Sequence, residues 1–188
     1  MVLRPQDLGI ALKLMVTPLG ASTTRSLATD LGISIGEISN ALRRCVTAQL
    51  VTRAPPETRQ SQLRRGGQRM RLMVRQTAMR EFVLHGIRYV WPPERGPIVR
   101  GVATAHAAAP LLGLIASDEA PPVWPYPAGA QRGESFSPLF DTAPAASTKD
   151  PALYEVLALV DAIRAGRARE RNLASELFQA YVEKSPRA

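Results

Sequence analysis

The sequence predicts a mainly α-helical protein with a small β wing, and three observations lead to that fold class. Two short helical patterns meet at Gly32, two short strand-like segments follow them, and residues 150–188 carry an apolar stripe at helical spacing. A chain of 188 residues has room for one good core with an appendage, or for two small domains. We therefore divide it into residues 1–90, a Pro-rich extended segment at residues 91–149, and a helical region at residues 150–188.

The first helix is predicted to begin at Pro5, because proline is favoured in the first turn of a helix. Leu8, Leu12 and Met15 fall on one face of that helix, and Pro18 marks its end. The chain thus opens with one amphipathic helix.

Two more helices are predicted, at residues 25–32 and 34–48. Gly32 lies at the corner between them, where the backbone needs a conformation that is costly for a residue with a Cβ. Ser34 is suited to cap the second helix. Glu37, three residues later, completes a capping box in which each side chain satisfies a backbone donor of the other residue.

A close crossing of these two helices would bury small and apolar side chains. The positions that it buries are Leu27, Leu31, Ile33, Ile38 and Ala41. Ala28 faces the second helix, where a larger side chain would push the two helices apart. Cys45 continues the buried spacing as a small apolar residue, and a redox-sensing thiol is the alternative interpretation.

A β hairpin is predicted next, from a short strand at residues 50–53 and a partner at residues 69–74 that alternates basic with apolar side chains. Pro-Pro and Gly-Gly pairs bound the tip between the strands. The arginines of this wing are Arg59, Arg64, Arg65 and Arg69. They would follow a phosphate backbone or reach into a minor groove. The alternative is that the hairpin merely closes the fold. A helix at residues 75–86 follows it.

The second helix of the pair leaves one face exposed, and that face is short, polar and then basic. Its residues are Ser34, Ile35, Gly36, Ser39, Asn40, Arg43 and Arg44. Arginine can bond two acceptors of guanine, asparagine can bond adenine, and serine can bond a phosphate or a base edge. Such a face is suited to the major groove of DNA.

In these residues the chain resembles the helix-turn-helix family of DNA-binding regulators. The segment ALRRCVTAQLVTR, which runs on into a strand, is similar to the winged subclass of MarR-type repressors. The resemblance covers roughly the first 75 to 90 residues, and helix pairs with a small-residue turn also occur in enzymes and scaffolds. It implies that double-stranded DNA is the partner of this face.

The positive charge of the chain is concentrated in one region. The formal net charge is +8, and residues 41–80 hold ten arginines and one acid, Glu57. Such a block is often just a solvated segment. Because this one directly follows the predicted helix pair, we interpret it as charge that neutralises DNA phosphates.

The segment at residues 92–149 contains ten of the 16 prolines of the chain. Proline at that density predicts extended or polyproline-like chain rather than regular helices or central strands. Its aromatic side chains would be costly to leave in water. They are Trp91, Trp124, Tyr126, Phe136 and Phe140. We therefore expect this segment to lie over its own helical domain or over a partner chain.

The last region begins with a strong helix, in which Asp150 is the N-cap and Pro151 the first helical residue. One apolar stripe follows, and a second helix continues it after Gly166. The stripe consists of Leu153, Val156, Leu157, Val160 and Ile163. We predict that it forms the interface of a homodimer, and the alternative is that it packs on its own chain.

The motifs that the sequence lacks bear on its class. One cysteine excludes a disulfide framework and a Cys-based metal site, and no phosphate-binding loop, HExxH motif or nucleophile elbow is found. His85 and His106 lie in unrelated segments, and His106 has no carboxylate near it in sequence. We expect no catalysis, no cofactor and no metal. Without a secretory signal or a long apolar run, we also expect a cytoplasmic protein that does not enter the membrane.

The sequence therefore predicts a sequence-specific DNA-binding transcriptional regulator, most simply a dimeric repressor that reads a palindromic site. The main alternative is an antitoxin or adaptor whose residues 92–188 bind and inhibit a partner protein, with repression of its own promoter as a compatible role. A third possibility is a winged helix used for RNA or for protein contact alone.

Overall fold

The computed structural model describes residues 2–53, 72–115 and 117–184 and shows a mainly α-helical chain with two small sheets. The helices that it contains in these ranges are α1 (Pro5–Val16), α2 (Thr24–Leu31), α3 (Ile35–Thr47), α4 (Gln76–Glu81), α5 (Ile87–Val90), α6 (Ala143–Ser147), α7 (Pro151–Ala165) and α8 (Ala168–Lys184). The strands are β1 (Val51–Arg53), β2 (Leu72–Val74), β3 (Arg95–Ala103), β4 (Pro122–Pro125) and β5 (Gln131–Phe136).

The predicted pair of helices is present, with its corner at Gly32. Gly32 has a φ of +65°, the left-handed conformation that favours glycine, and its N–H bonds the carbonyl oxygen of Ala28. Ser34 caps α3 by accepting a 3.2 Å hydrogen bond from the backbone N–H of Glu37. The helix α1 also begins at Pro5 and ends before Pro18, as the sequence predicts.

The base of the predicted hairpin is present as well. β1 and β2 pair in antiparallel fashion, with Val51 opposite Val74 and Arg53 opposite Leu72. The predicted arginines of the wing, Arg59, Arg64, Arg65 and Arg69, lie outside the described residues. The helical segment that follows is longer than predicted, since a π-helical turn at Phe82–Gly86 connects α4 to α5.

The prediction that the Pro-rich segment lacks regular strands is wrong. β3 pairs in antiparallel fashion with both β4 and β5, and β4 pairs in parallel with β5. We call these three strands the small sheet. The prolines do not prevent these strands because of where they lie. Pro122 and Pro125 are the two ends of β4, and Pro97 lies between Arg95 and Ile98, where the register of β3 shifts.

The Pro-rich segment packs on its own chain, which is one of the two arrangements that the sequence predicts. Trp124 and Phe136 are fully buried and belong to the same core cluster as the apolar residues of α1 and α7. Burial of these large rings against the helices gives the small sheet a hydrophobic surface on which to fold.

The prediction of a dimer interface on α7 is wrong. Its five stripe residues, Leu153, Val156, Leu157, Val160 and Ile163, are each at most 2% exposed within the single chain. The helix lies at the centre of the fold, where it packs against α1, α5, α6, α8 and the 3-10 turn at Ala105–Ala107. A stripe that the chain itself covers on so many sides cannot receive a second subunit.

Two polar contacts join α2 to the C-terminal half of the chain. The hydroxyl of Thr142 donates a 2.6 Å hydrogen bond to the carbonyl oxygen of Leu31, the last residue of α2. The ammonium of Lys13 lies 2.6 Å from a carboxylate oxygen of Asp150 and 3.3 Å from one of Asp30. The regions that the sequence divides at residues 90 and 149 therefore share one core.

Candidate functional site

The outer face of α3 is open along its length. Ser34, Ile35, Gly36, Ser39 and Arg43 are exposed, and Asn40 is half-buried. Ile35 is 48% exposed, and a Cβ added at Gly36 would have no heavy atom within 4 Å. Another surface could therefore approach the first turn of this helix closely.

The polar groups on this face hold one another in place. The guanidinium of Arg43 donates a hydrogen bond to the side-chain carbonyl oxygen of Asn40, one turn earlier. The hydroxyl of Ser39 donates a 2.9 Å bond to the carbonyl oxygen of Ile35. Arg43 has five N–H donors and Asn40 has two, so most of this hydrogen-bonding capacity remains for a ligand.

The prediction that Arg44 lies on this exposed face is wrong. Its side chain is buried, and its Nε and Nη2 atoms donate two 2.7 Å hydrogen bonds to the carboxylate of Asp7. Nη2 also lies 2.7 Å from Oε1 of Glu37. One residue further along a helix turns the side chain by about 100°, so Arg43 points outward while Arg44 points toward α1.

Glu37 completes only half of the predicted capping box. Its backbone N–H is bonded to Ser34, but its carboxylate accepts from Arg44 and, at 2.6 Å, from the side-chain amide of Gln6. Arg4 lies 3.5 Å from the same oxygen atom. The hydrogen bond from Arg44 lowers the pKa of Glu37, while the two carboxylates raise the pKa of Arg44. This acid on α3 is therefore neutralised by its neighbours.

Cys45 packs as the small apolar residue that the sequence predicts. Its thiol is fully buried and donates a 3.3 Å hydrogen bond to the carbonyl oxygen of Asp7. Burial raises the pKa of this thiol to about 12, which keeps it protonated and unreactive near neutral pH.

The described base of the hairpin adds positive charge near α3. Arg53 at the end of β1 and Arg75 after β2 are both exposed. Arg75 donates a 2.9 Å hydrogen bond to the side-chain oxygen of Gln49, in the turn that follows α3. Both arginines therefore flank the segment that joins α3 to the hairpin.

No family model matches this chain, and no curated protein and no solved structure matches it either. Its function therefore has to be inferred from its own residues. Within the described ranges, no helix combines the length and the apolar character needed to cross a bilayer.

His106 has a carboxylate near it in space, although none lies near it in sequence. Oε1 of Glu170, at the start of α8, lies 3.7 Å from Nδ1 of His106, and both side chains are 12% exposed. In the part of the chain that the structure describes, no group of three or more His, Cys, Asp or Glu side chains is arranged to hold a metal ion.

A second buried acid, Asp161, is one that the sequence did not lead us to expect. Its carboxylate accepts hydrogen bonds from the hydroxyl of Thr104 at 2.8 Å, the indole N–H of Trp124 at 2.6 Å and the guanidinium of Arg164 at 2.7 Å. Burial raises the pKa of Asp161, and Arg164 opposes that change. The acid joins the small sheet to α7, which is a structural role. An acid followed three residues later by arginine in an apolar stripe is the signal that could have found it.

Proposed function

We propose that this protein is a sequence-specific DNA-binding regulator, most simply a repressor, in which α3 is the recognition helix and β1 and β2 form the base of a wing. The observation that carries the proposal is the open face of α3. It combines short side chains in its first turn with Asn40 and Arg43 in the next two turns.

The chemistry of this face matches the edges of base pairs. Arg43 can donate two hydrogen bonds to guanine, and Asn40 can bond adenine, each of which discriminates against a wrong base by about 1 to 3 kcal/mol. Ile35 presents an exposed apolar group that suits the methyl group of thymine. The open space at Gly36 allows the backbone of α3 to come close to the floor of the groove.

The other side of α3 supports the same role, because a recognition helix must be held in one orientation. Arg44 fastens α3 to α1 through Asp7. The carboxylate of Glu37 contacts Arg44, Gln6 and Arg4. The two arginines compensate its negative charge, which would otherwise repel a phosphate.

The burial of particular apolar side chains within the chain bears on the alternative of an antitoxin or adaptor. That role would need the large aromatic side chains of the Pro-rich segment or the stripe of α7 to be free for a partner, and Trp124, Phe136 and the stripe all lie in the core. For the same reason, a homodimer on a palindromic site would have to use a surface other than the stripe of α7.

Selection of bound sites from a pool of random DNA duplexes tests the proposal. We expect the parent protein to enrich one short motif, and we expect Asn40→Ala and Arg43→Ala to lose that enrichment at different base positions. Arg169, an exposed arginine of α8, provides the control, since Arg169→Ala should enrich the motif of the parent. Failure of the parent to enrich any motif would contradict sequence-specific binding.

A further inference from the structure

The small sheet carries a pair of directly opposed arginines. Arg100 on β3 and Arg132 on β5 are register partners in an antiparallel pair, so both side chains lie on the same face of the sheet. Both are exposed. The Cβ atoms of directly opposed residues lie about 4.5 to 5.5 Å apart, and like charges at that spacing are destabilising.

The acid nearest to this pair along the sheet is engaged elsewhere. Glu134 shares the face, opposite Ile98, but its carboxylate accepts a 2.6 Å hydrogen bond from Arg95, which lies on the far side of the irregularity in β3. Among the residues that the structure describes, no carboxylate forms an ion pair with Arg100 or Arg132. The sheet therefore places two positive charges side by side and leaves them uncompensated.

The loop between β4 and β5 fixes one of the two arginines. Nη1 of Arg100 donates a 3.2 Å hydrogen bond to the carbonyl oxygen of Gly129. Gly129 lies so close to β3 that a Cβ would come within 2.1 Å of the carbonyl oxygen of Gly101, so only glycine fits there. This contact uses one donor of Arg100 and leaves its other donors available to a ligand.

We propose that Arg100 and Arg132 form a second DNA contact, which binds the phosphodiester backbone of a duplex. The proposal rests on the proposed function for the identity of the partner. Charge complementarity supports it, because two directly opposed arginines without a carboxylate partner suit phosphate oxygens, and one strand of a duplex presents a phosphate at about every 3.4 Å of rise. This contact reads no sequence, and it adds affinity and salt dependence to the binding at α3.

The test compares the double variant Arg100→Gln/Arg132→Gln with the parent on a random-sequence duplex, at several salt concentrations, by fluorescence anisotropy. We expect the slope of log K against log salt to flatten by about one unit for each phosphate that the variant no longer binds. Arg80→Gln/Arg169→Gln is the matched control, since it removes the same charge from two exposed arginines outside the sheet. It should leave the slope nearly unchanged. Equal flattening by both double variants would overturn the proposal, because net charge alone would then explain the effect.

Two further variants separate binding from folding. Arg100→Lys/Arg132→Lys keeps the charge and should retain most of the slope. Arg132→Glu places an acid opposite Arg100, so it should raise the melting temperature while weakening binding to all duplexes. A melting temperature below that of the parent for Arg132→Glu would show that the arginine pair has a structural role and would overturn the proposal.

The two proposals fail in different ways. If Asn40→Ala and Arg43→Ala leave specific binding intact while the sheet variant flattens the slope, the assignment of α3 fails and the second contact stands. If the sheet variant matches the parent while the α3 variants lose specificity, the second contact fails alone. Absence of any salt-dependent binding of the parent to duplex DNA would overturn both.

Discussion

The guanidinium of Arg44 is joined to the carboxylate of Asp7 by two hydrogen bonds of 2.7 Å, across the interface between α3 and α1. Asp7 has no exposed surface, and the side chain of Arg44 is 9% exposed. The neighbouring side chain, Arg43, points to solvent. Two successive arginines of one helix thus have opposite roles. The buried Arg44 fixes the rotation of α3 against α1, and the exposed Arg43 remains accessible to a ligand.

Removal of Arg44 should therefore destabilise the fold far more than removal of Arg43. Arg44→Met leaves the buried carboxylate of Asp7 without its cationic partner, which typically costs about 3 to 5 kcal/mol, whereas Arg43→Met should change the free energy of unfolding by less than about 0.5 kcal/mol. Urea denaturation followed by circular dichroism measures both. The double variant Asp7→Leu/Arg44→Met should recover much of the stability. Equal midpoints for Arg44→Met and Arg43→Met would contradict the burial of this pair.

The stripe of α7 distinguishes a core helix from an interface helix. Leu157→Ala should lower the free energy of unfolding by about 2 to 5 kcal/mol, because the cavity forms inside one chain. Leu112→Ala, at a side chain that is 66% exposed, should have almost no effect and serves as the control. Thermal melting and sedimentation are measured on the same samples. If Leu157→Ala melts like the parent but has a smaller mass in solution, the stripe of α7 is a dimer interface and not part of the core.

The crossing of α2 and α3 is sensitive to size at Ala28, which packs against the core. Ala28→Leu should cost about 1 to 3 kcal/mol through overpacking and should lower DNA affinity in parallel. Thr29→Leu, at the exposed next residue of α2, is the control and should change neither property appreciably. If Ala28→Leu melts and binds like the parent, the two helices do not cross at this residue.

Acid should weaken the contact between α1 and the start of α7. Burial acts to raise the pKa of Asp150, but the hydrogen bond and charge of Lys13 together with the backbone N–H groups of Leu153 and Ala152 outweigh it and lower the pKa below its usual value of 3.8. An acid with a lowered pKa stabilises the fold above its unfolded pKa and loses that contribution as the pH falls through the folded pKa. Asp150→Asn, which keeps a capping oxygen, should cost up to about 1 kcal/mol near pH 7, and the difference from the parent should shrink below about pH 4. A difference that stays constant down to about pH 2 would contradict this.

Elements set by local signals could be predicted from the sequence. Pro5, Gly32, Ser34 and Asp150 act on their own backbone or on residues within one turn of it, so the ends of α1, α2, α3 and α7 follow from neighbours in sequence. The base of the hairpin follows from the same kind of signal.

What the sequence did not predict depends on interactions between distant residues. The strands of the Pro-rich segment exist because Trp124 and Phe136 find a surface on the helices, which no local pattern shows. The stripe of α7 has the same apolar spacing whether its own chain or a second copy covers it. Arg44 and Arg43 are both basic residues of one helix, and no local pattern shows that Asp7 of α1 pairs with Arg44.

The role of α3 as a recognition helix is tested most sharply by the ratio of two affinities, for the selected site and for random duplex, in the parent and in Arg43→Ala and Asn40→Ala. If these side chains read bases, each variant should bind the selected site about 1 to 3 kcal/mol more weakly and random DNA almost as well as the parent, so the ratio falls at least several-fold. Arg169→Ala should keep the ratio of the parent. Equal weakening on both kinds of DNA would show that Asn40 and Arg43 do not read sequence, and the assignment of α3 as a recognition helix would be wrong.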